Sequence, residues 1–175
     1  MNHIEFNNNR KLDIIILGRA SIDMIPTDFF KTLDECTTFK KYIGGSPANI
    51  AIGMARLGRK VGFIGKVSDD SLGNFVLKGL EKENIDTSHI SRAKNGEKIS
   101  VAFSEVLEGK GNNLIMYRNK AADLSLDESD IDEEYIKSSK ALLVSGTALA
   151  ASPSREATLK ALEIAKKSNT VIIFN

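Results

Sequence analysis

Four short stretches of almost unbroken aliphatic sequence constrain this chain more than any other feature: Ile14-Ile15-Ile16-Leu17, Val61-Gly62-Phe63-Ile64, Ala141-Leu142-Leu143-Val144 and Val171-Ile172-Ile173-Phe174. A strand with one face in water alternates apolar and polar residues, whereas a strand covered on both faces is apolar throughout. Such runs belong to a parallel sheet with helices on either side. Helix-spaced segments separate them. Ser46 reads as an N-cap with Pro47 at the first helical position, followed by Ile50, Met54 and Leu57 on one face and Gly58 as the stop. Asp70 or Ser71 opens a second helix in which Leu72, Phe75, Val76 and Leu80 share a face, with Asn84 as its C-terminal cap. Ser152-Pro153 repeats the cap-plus-proline signal ahead of a helix through Leu159, Leu162 and Ala165. The alternation predicts an α/β fold, an open and mostly parallel sheet flanked by helices.

Two segments depart from that pattern. Residues 99–107 and 113–118 alternate in polarity around Glu108-Gly109-Lys110-Gly111-Asn112, which predicts an antiparallel hairpin outside the main sheet. The stretch 123–134 holds seven carboxylates in twelve residues, read as a solvated helix start with Ile131 and Tyr135 as its buried edge. Residues 1–12 read as a flexible tail. An apolar strand at 170–175 is an unusual domain end, because termini normally lie in loosely packed segments, so the carboxyl-terminal part of the domain is expected to be missing.

The chain has 175 residues, room for one domain, and 24 Lys and Arg against 23 Asp and Glu. A net charge of +1 leaves no bulk electrostatic footprint for nucleic acid or an anionic membrane, and neither is expected as a partner. Cys36 is the sole cysteine, so no intramolecular disulfide or Cys-based zinc site can form, and a reducing cytoplasm is the expected location. With two histidines, a His-rich metal site or a Ser-His-Asp triad is disfavoured too.

Standard phosphate loops are absent. Gly65-Lys66 is followed by Val67 rather than Ser or Thr, and Gly109 and Gly111 lack the third glycine of a dinucleotide fingerprint. Two other features stand out. Gly44-Gly45-Ser46-Pro47-Ala48-Asn49 places two glycines before a capped helix with an Asn one turn in. This is either a tight strand-to-helix turn or a place where backbone and Asn49 meet the hydroxyls of a ligand, with freedom to hinge. Gly18-Arg19-Ala20-Ser21-Ile22-Asp23 ends a buried strand and places a carboxylate beyond its carboxyl end, where open α/β sheets bind ligands. Asp23 is either an acceptor for a polyol or a turn aspartate ahead of Pro26.

The run from Gly44 through Ala55-Arg56-Leu57-Gly58 to Gly65-Lys66-Val67-Ser68-Asp69-Asp70-Ser71-Leu72-Gly73 resembles the first signature of the PfkB (ribokinase-like) carbohydrate kinases. The resemblance covers 13–175 as the amino-terminal part of such a kinase domain. It implies a ribokinase-like fold with a small β lid over the sugar, formed by about 37–43 and 98–118, and an enzyme that uses ATP and Mg2+. Asp23, Gly45 and Asn49 match positions that bind sugar hydroxyls, and Gly44-Gly45 matches the lid hinge. Within the family, Gly18-Arg19, Ser145-Gly146-Thr147-Ala148-Leu149 and Tyr117-Arg118-Asn119-Lys120-Ala121-Ala122-Asp123-Leu124 are most similar to members acting on 5-dehydro-2-deoxy-D-gluconate in myo-inositol catabolism. An acid sugar carries a carboxylate, which a guanidinium fork pairs with in two-pronged fashion, so Arg118 and Arg19 join the substrate-binding set; Arg118 could equally be a solvated strand-end residue. The family's second signature, with its Gly-Ala-Gly-Asp run and catalytic base, has no match here. No catalytic residue is assigned, and the 175-residue chain alone is expected to be inactive. A fructokinase, a 2-keto-3-deoxygluconate kinase, or a sugar-binding module without catalysis are the alternatives. Lid strands in this family also allow a homodimer.

Overall fold

A computed structural model describes residues 5–28, 30–107 and 111–175. The four aliphatic runs form β1 (Leu12–Leu17), β4 (Val61–Val67), β8 (Ser139–Val144) and β9 (Val171–Phe174), joined by β5 (Asp86–Arg92) in a five-stranded sheet of order β5-β4-β1-β8-β9. Every pairing in it is parallel. Alternate residues of each strand serve opposite faces. Ile14, Ile16, Val61, Phe63 and Leu143 pack under α1 (Ser46–Arg56) and α2 (Ser71–Lys82), while Ile15, Leu17, Ile64, Leu142 and Val144 pack under α3 (Glu133–Lys137) and α4 (Ser154–Lys167). Two cores on one sheet explain why its central strands carry no polar alternation.

A second sheet stands beside the first. It contains β2 (Ser21–Pro26), β3 (Phe39–Gly44), β6 (Val101–Leu107) and β7 (Gly111–Tyr117) in the order β3-β2-β6-β7. The pairs β2·β3 and β6·β7 are antiparallel, and β2·β6 is parallel. The lid expected from 37–43 and 98–118 thus gains a strand, β2, which puts Asp23 in the middle of a ladder between Tyr42 and Ala102. Asp23 is not a turn residue. The hairpin turn at Glu108, Gly109 and Lys110 lies outside the described residues.

Local signals shift by small amounts, each with a reason. Gly45, at φ 94°, takes the cap position of α1 without a side-chain cap, and the Ser46 hydroxyl instead donates to the Asn175 side-chain oxygen at 3.1 Å. Asp70 caps α2 by accepting from the N–H groups of Leu72 and Gly73, and Asn84 follows that helix at φ 58°. α4 starts at Ser154, one residue beyond the expected Ser152-Pro153 start, with Pro153 at its cap position. The fully buried contacts of α1 and α4 include Ala48 and Ala51 in α1 and Ala157, Ala161, Ile164 and Ala165 in α4; the expected Ile50, Met54 and Leu162 pack against the cores partly buried, while Leu57 and Leu159 point to solvent. The expected tail is also shorter than 1–12. β1 starts at Leu12, and the Arg10 guanidinium donates to the carbonyls of Ser139 and Ser168 and to the Thr170 hydroxyl, tying the segment to the sheet and the end of α4.

The acidic stretch is less solvated than its composition implies. Asp123 is buried against Arg118, and Asp130 meets Lys66, itself 8% exposed, at 2.6 Å. Asp127 and Asp132 cap the short 3-10 turn Glu128–Asp130 and α3. Ile131 and Tyr135 are buried as expected.

Candidate functional site

In the main sheet β1 lies between β4 and β8. The chain leaves the carboxyl end of β1, builds the first lid strands, returns through α1 to β4 on one side, and later enters β8 on the other. Such a reversal of strand order opens a crevice beyond the strand ends, where open α/β sheets bind ligands. Gly18, Arg19 and the amino terminus of α1 lie at this point.

Asp23 pairs with Tyr42, and its carboxylate reaches along β3 to Gly44. A Cβ on Gly44 would stand 1.9 Å from Asp23 Oδ1, so only glycine lets the carboxylate sit flat on that backbone. Gly45 is required for another reason: besides its positive φ, a Cβ there would approach the Arg19 carbonyl oxygen to 2.5 Å. The two glycines therefore seat Asp23 and the Arg19 backbone directly against the start of α1. Asn49 lies one turn into that helix, its N–H donating to the Gly45 carbonyl at 2.9 Å and its side chain exposed. Burial pushes the Asp23 carboxyl above the ordinary carboxylate range, and Arg19 pulls it partway back.

Arg19 lies beside Asp23, and Arg118 lies near Arg19. Arg19 Nη1 lies 2.9 Å from Met116 Sδ on β7, while its Nε is buried with no partner among the described residues. Burial, followed by the nearby charge of Arg118, holds its pKa below the usual arginine value; Asp123 and Asp23 act in the opposite direction. Arg118, at the end of β7, donates from Nε and Nη2 to Asp123 Oδ2 at 2.9 and 2.7 Å, and from Nη2 to the Thr147 carbonyl at 2.8 Å. Its side chain is 18% exposed. It is a fixed cation rather than a solvated strand end.

The structure thus brings Asp23, Gly44, Gly45 and Arg19 into contact or near-contact, sets Asn49 one turn away on α1, and links Arg118 to the group through Arg19. Sequence reasoning missed Asp123 and the Thr147 carbonyl, which hold Arg118. The nearest signal was Asp123 at the head of the acidic stretch, five residues from Arg118. Among the described residues, no cluster of three or more His, Cys, Asp or Glu side chains could hold a metal ion. Among them, no helix is long and apolar enough to cross a membrane.

Comparison with known proteins agrees with the topology. The chain is 59% identical over its full length to the 5-dehydro-2-deoxygluconokinase of Clostridium perfringens, covering 52% of that protein. Among solved structures, an uncharacterized sugar kinase from Pyrococcus horikoshii in complex with ATP matches at 30% identity and a TM-score of 0.83, over 92% of this chain and 52% of that one. The fructokinase of Halothermothrix orenii matches at 30% identity and a TM-score of 0.81, over 93% and 56%. The chain spans about half the length of the curated relatives it matches. The model of the pfkB family carbohydrate kinases matches residues 11–175. A parallel sheet with a β lid beside its switch point, and a family match across nearly the whole sequence, lead to one conclusion: the chain belongs to the pfkB family of carbohydrate kinases.

Proposed function

We propose that this chain carries the sugar-binding part of an ATP-dependent kinase for an acid sugar, 5-dehydro-2-deoxy-D-gluconate, in inositol catabolism. The observation that carries the reading is a half-buried carboxylate, Asp23, beside the Arg19 guanidinium, with the fixed Arg118 near Arg19 in turn. Asp23 accepts hydrogen bonds from sugar hydroxyls, Gly44 and Gly45 let the ring approach the backbone and let the lid hinge, and Asn49 adds a polar contact from α1. Arg19 and Arg118 supply the positive charge that a carboxylate needs and a neutral ketose does not. The name of the Clostridium perfringens relative supports this substrate.

ATP supplies the phosphoryl group when bound, and the structure of the Pyrococcus horikoshii relative in complex with ATP supports that donor. Mg2+ belongs to the same reading, because metal ions neutralise the charge that develops on transferred phosphates. Positioning and charge stabilisation do most of the work in such transfers, and the described residues supply them for the sugar alone. No catalytic residue is assigned within the chain, and the chain by itself is expected to be inactive. The natural location is the cytoplasm. A second copy can dock on the lid, whose edge strand β7 exposes Leu114, Ile115 and Tyr117.

The test is ADP release by the natural protein carrying this sequence, given ATP, Mg2+ and one of three substrates: the sugar acid, fructose or 2-keto-3-deoxygluconate. Preference for 5-dehydro-2-deoxygluconate is expected. Turnover of fructose alone would replace the acid-sugar reading with fructokinase.

A further inference from the structure

Arg118 does not stand free to meet a ligand; its orientation is set by a buried neighbour. Asp123 is 3% exposed at its side chain and uses one oxygen, Oδ2, to accept from both Nε and Nη2 of Arg118. The Thr147 carbonyl accepts from Nη2 on the other side. That edge of the guanidinium is fully committed, and Nη1 is the nitrogen left without a partner among the described residues. Asp123 Oδ1 is buried and unpaired, as is Arg19 Nε. Buried polar atoms are normally satisfied, so the unpaired Arg19 Nε donor beside a second cation marks a place where an anionic acceptor completes the bonding. Burial and then the charge of Arg118 lower the proton affinity of Arg19, and Asp123, paired with Arg118, opposes that lowering.

We propose that Asp123 is a positioning residue for sugar-acid recognition, turning the Nη1 edge of Arg118 toward the carboxylate held beside Arg19. This rests on the acid-sugar reading above. Geometry and charge give opposite expectations for the variant Asp123→Asn, which is what makes the proposal decisive. By charge alone, removing an anion near an anion site tightens acid binding. By positioning, the loss of a charge-assisted, two-bond anchor lets the guanidinium wander, and acid binding weakens.

The experiment is a double-mutant cycle on the chain, read by calorimetry with 5-dehydro-2-deoxygluconate and with fructose as the neutral probe. D123N is expected to weaken acid binding at least tenfold while leaving fructose binding unchanged. In an Arg118→Gln background it should add nothing further, because Asp123 acts through Arg118. The Arg118 Nε–H resonance, protected in the unaltered chain, is expected to exchange rapidly in D123N. Unchanged or tighter acid binding by D123N overturns the proposal alone. Absence of acid binding by the unaltered, folded chain overturns the acid-sugar reading and this proposal with it. Should D123N not fold, Asp123→Glu keeps the charge and displaces the carboxylate by one methylene. Weaker acid binding with intact fructose binding then supports the proposal, and unchanged acid binding overturns it.

Discussion

Asp23 is a carboxylate that the fold holds at some cost. Burial raises its pKa, with Arg19 opposing, so the folded chain binds the Asp23 proton more tightly than the unfolded chain does. Its contribution to stability is complete when the pH lies below the ordinary carboxylate range and is lost as the pH rises through the raised folded value. At neutral pH the ionised form is therefore a net penalty. Asp23→Asn is expected to make the chain more stable at pH 7 and to reduce the fall in stability between pH 4 and pH 7, as read by urea denaturation at both. The same variant should weaken sugar binding by about 10- to 100-fold, the worth of a hydrogen bond to a charged acceptor, ~1.5–3 kcal/mol. Greater stability with lost binding is the signature of a site residue; a structural residue would lose both. The sequence showed where Asp23 had to be, just past a buried strand, but not its environment. Its carboxylate packs on Gly44, a residue distant in sequence that comes to it through the β2·β3 pairing.

At the scale of elements, the strands were legible where both faces are buried and illegible where they are not. β1, β4, β8 and β9 announce themselves by aliphatic runs, whereas β5 reads Asp-Thr-Ser-His-Ile-Ser-Arg and carries no such signal. It is an edge strand, held by its backbone ladder to β4 rather than by a buried apolar face. The strand β2 was missed because Asp23 and Pro26 suggested a turn. Helix faces misled in a related way. Leucine and isoleucine spacing pointed to Leu57, but α1 lies so close to the sheet that alanines fill the contact and Leu57 is 73% exposed. Substitutions separate the two views. Ala51→Leu forces extra methylenes into a filled interface and is expected to cost about 1–3 kcal/mol, while Leu57→Ala should stay within about 0.5 kcal/mol, both by chemical denaturation.

For the whole molecule, the family match and the two-sheet architecture support the proposed sugar site at the switch point of the sheet, where β1, β2, β3, α1 and the end of β7 meet. Its residues come from both the main sheet and the lid, so binding should couple the two. On the proposed reading, the contacts that recognise the acid sugar come from this chain. Calorimetric titration of the folded chain with 5-dehydro-2-deoxygluconate, in the absence of nucleotide, tests that reading directly. Saturable one-site binding, at least tenfold tighter than fructose and lost in Asp23→Asn, is expected; a cooperatively folded chain that binds no sugar, or that binds fructose as tightly as the acid, would contradict it.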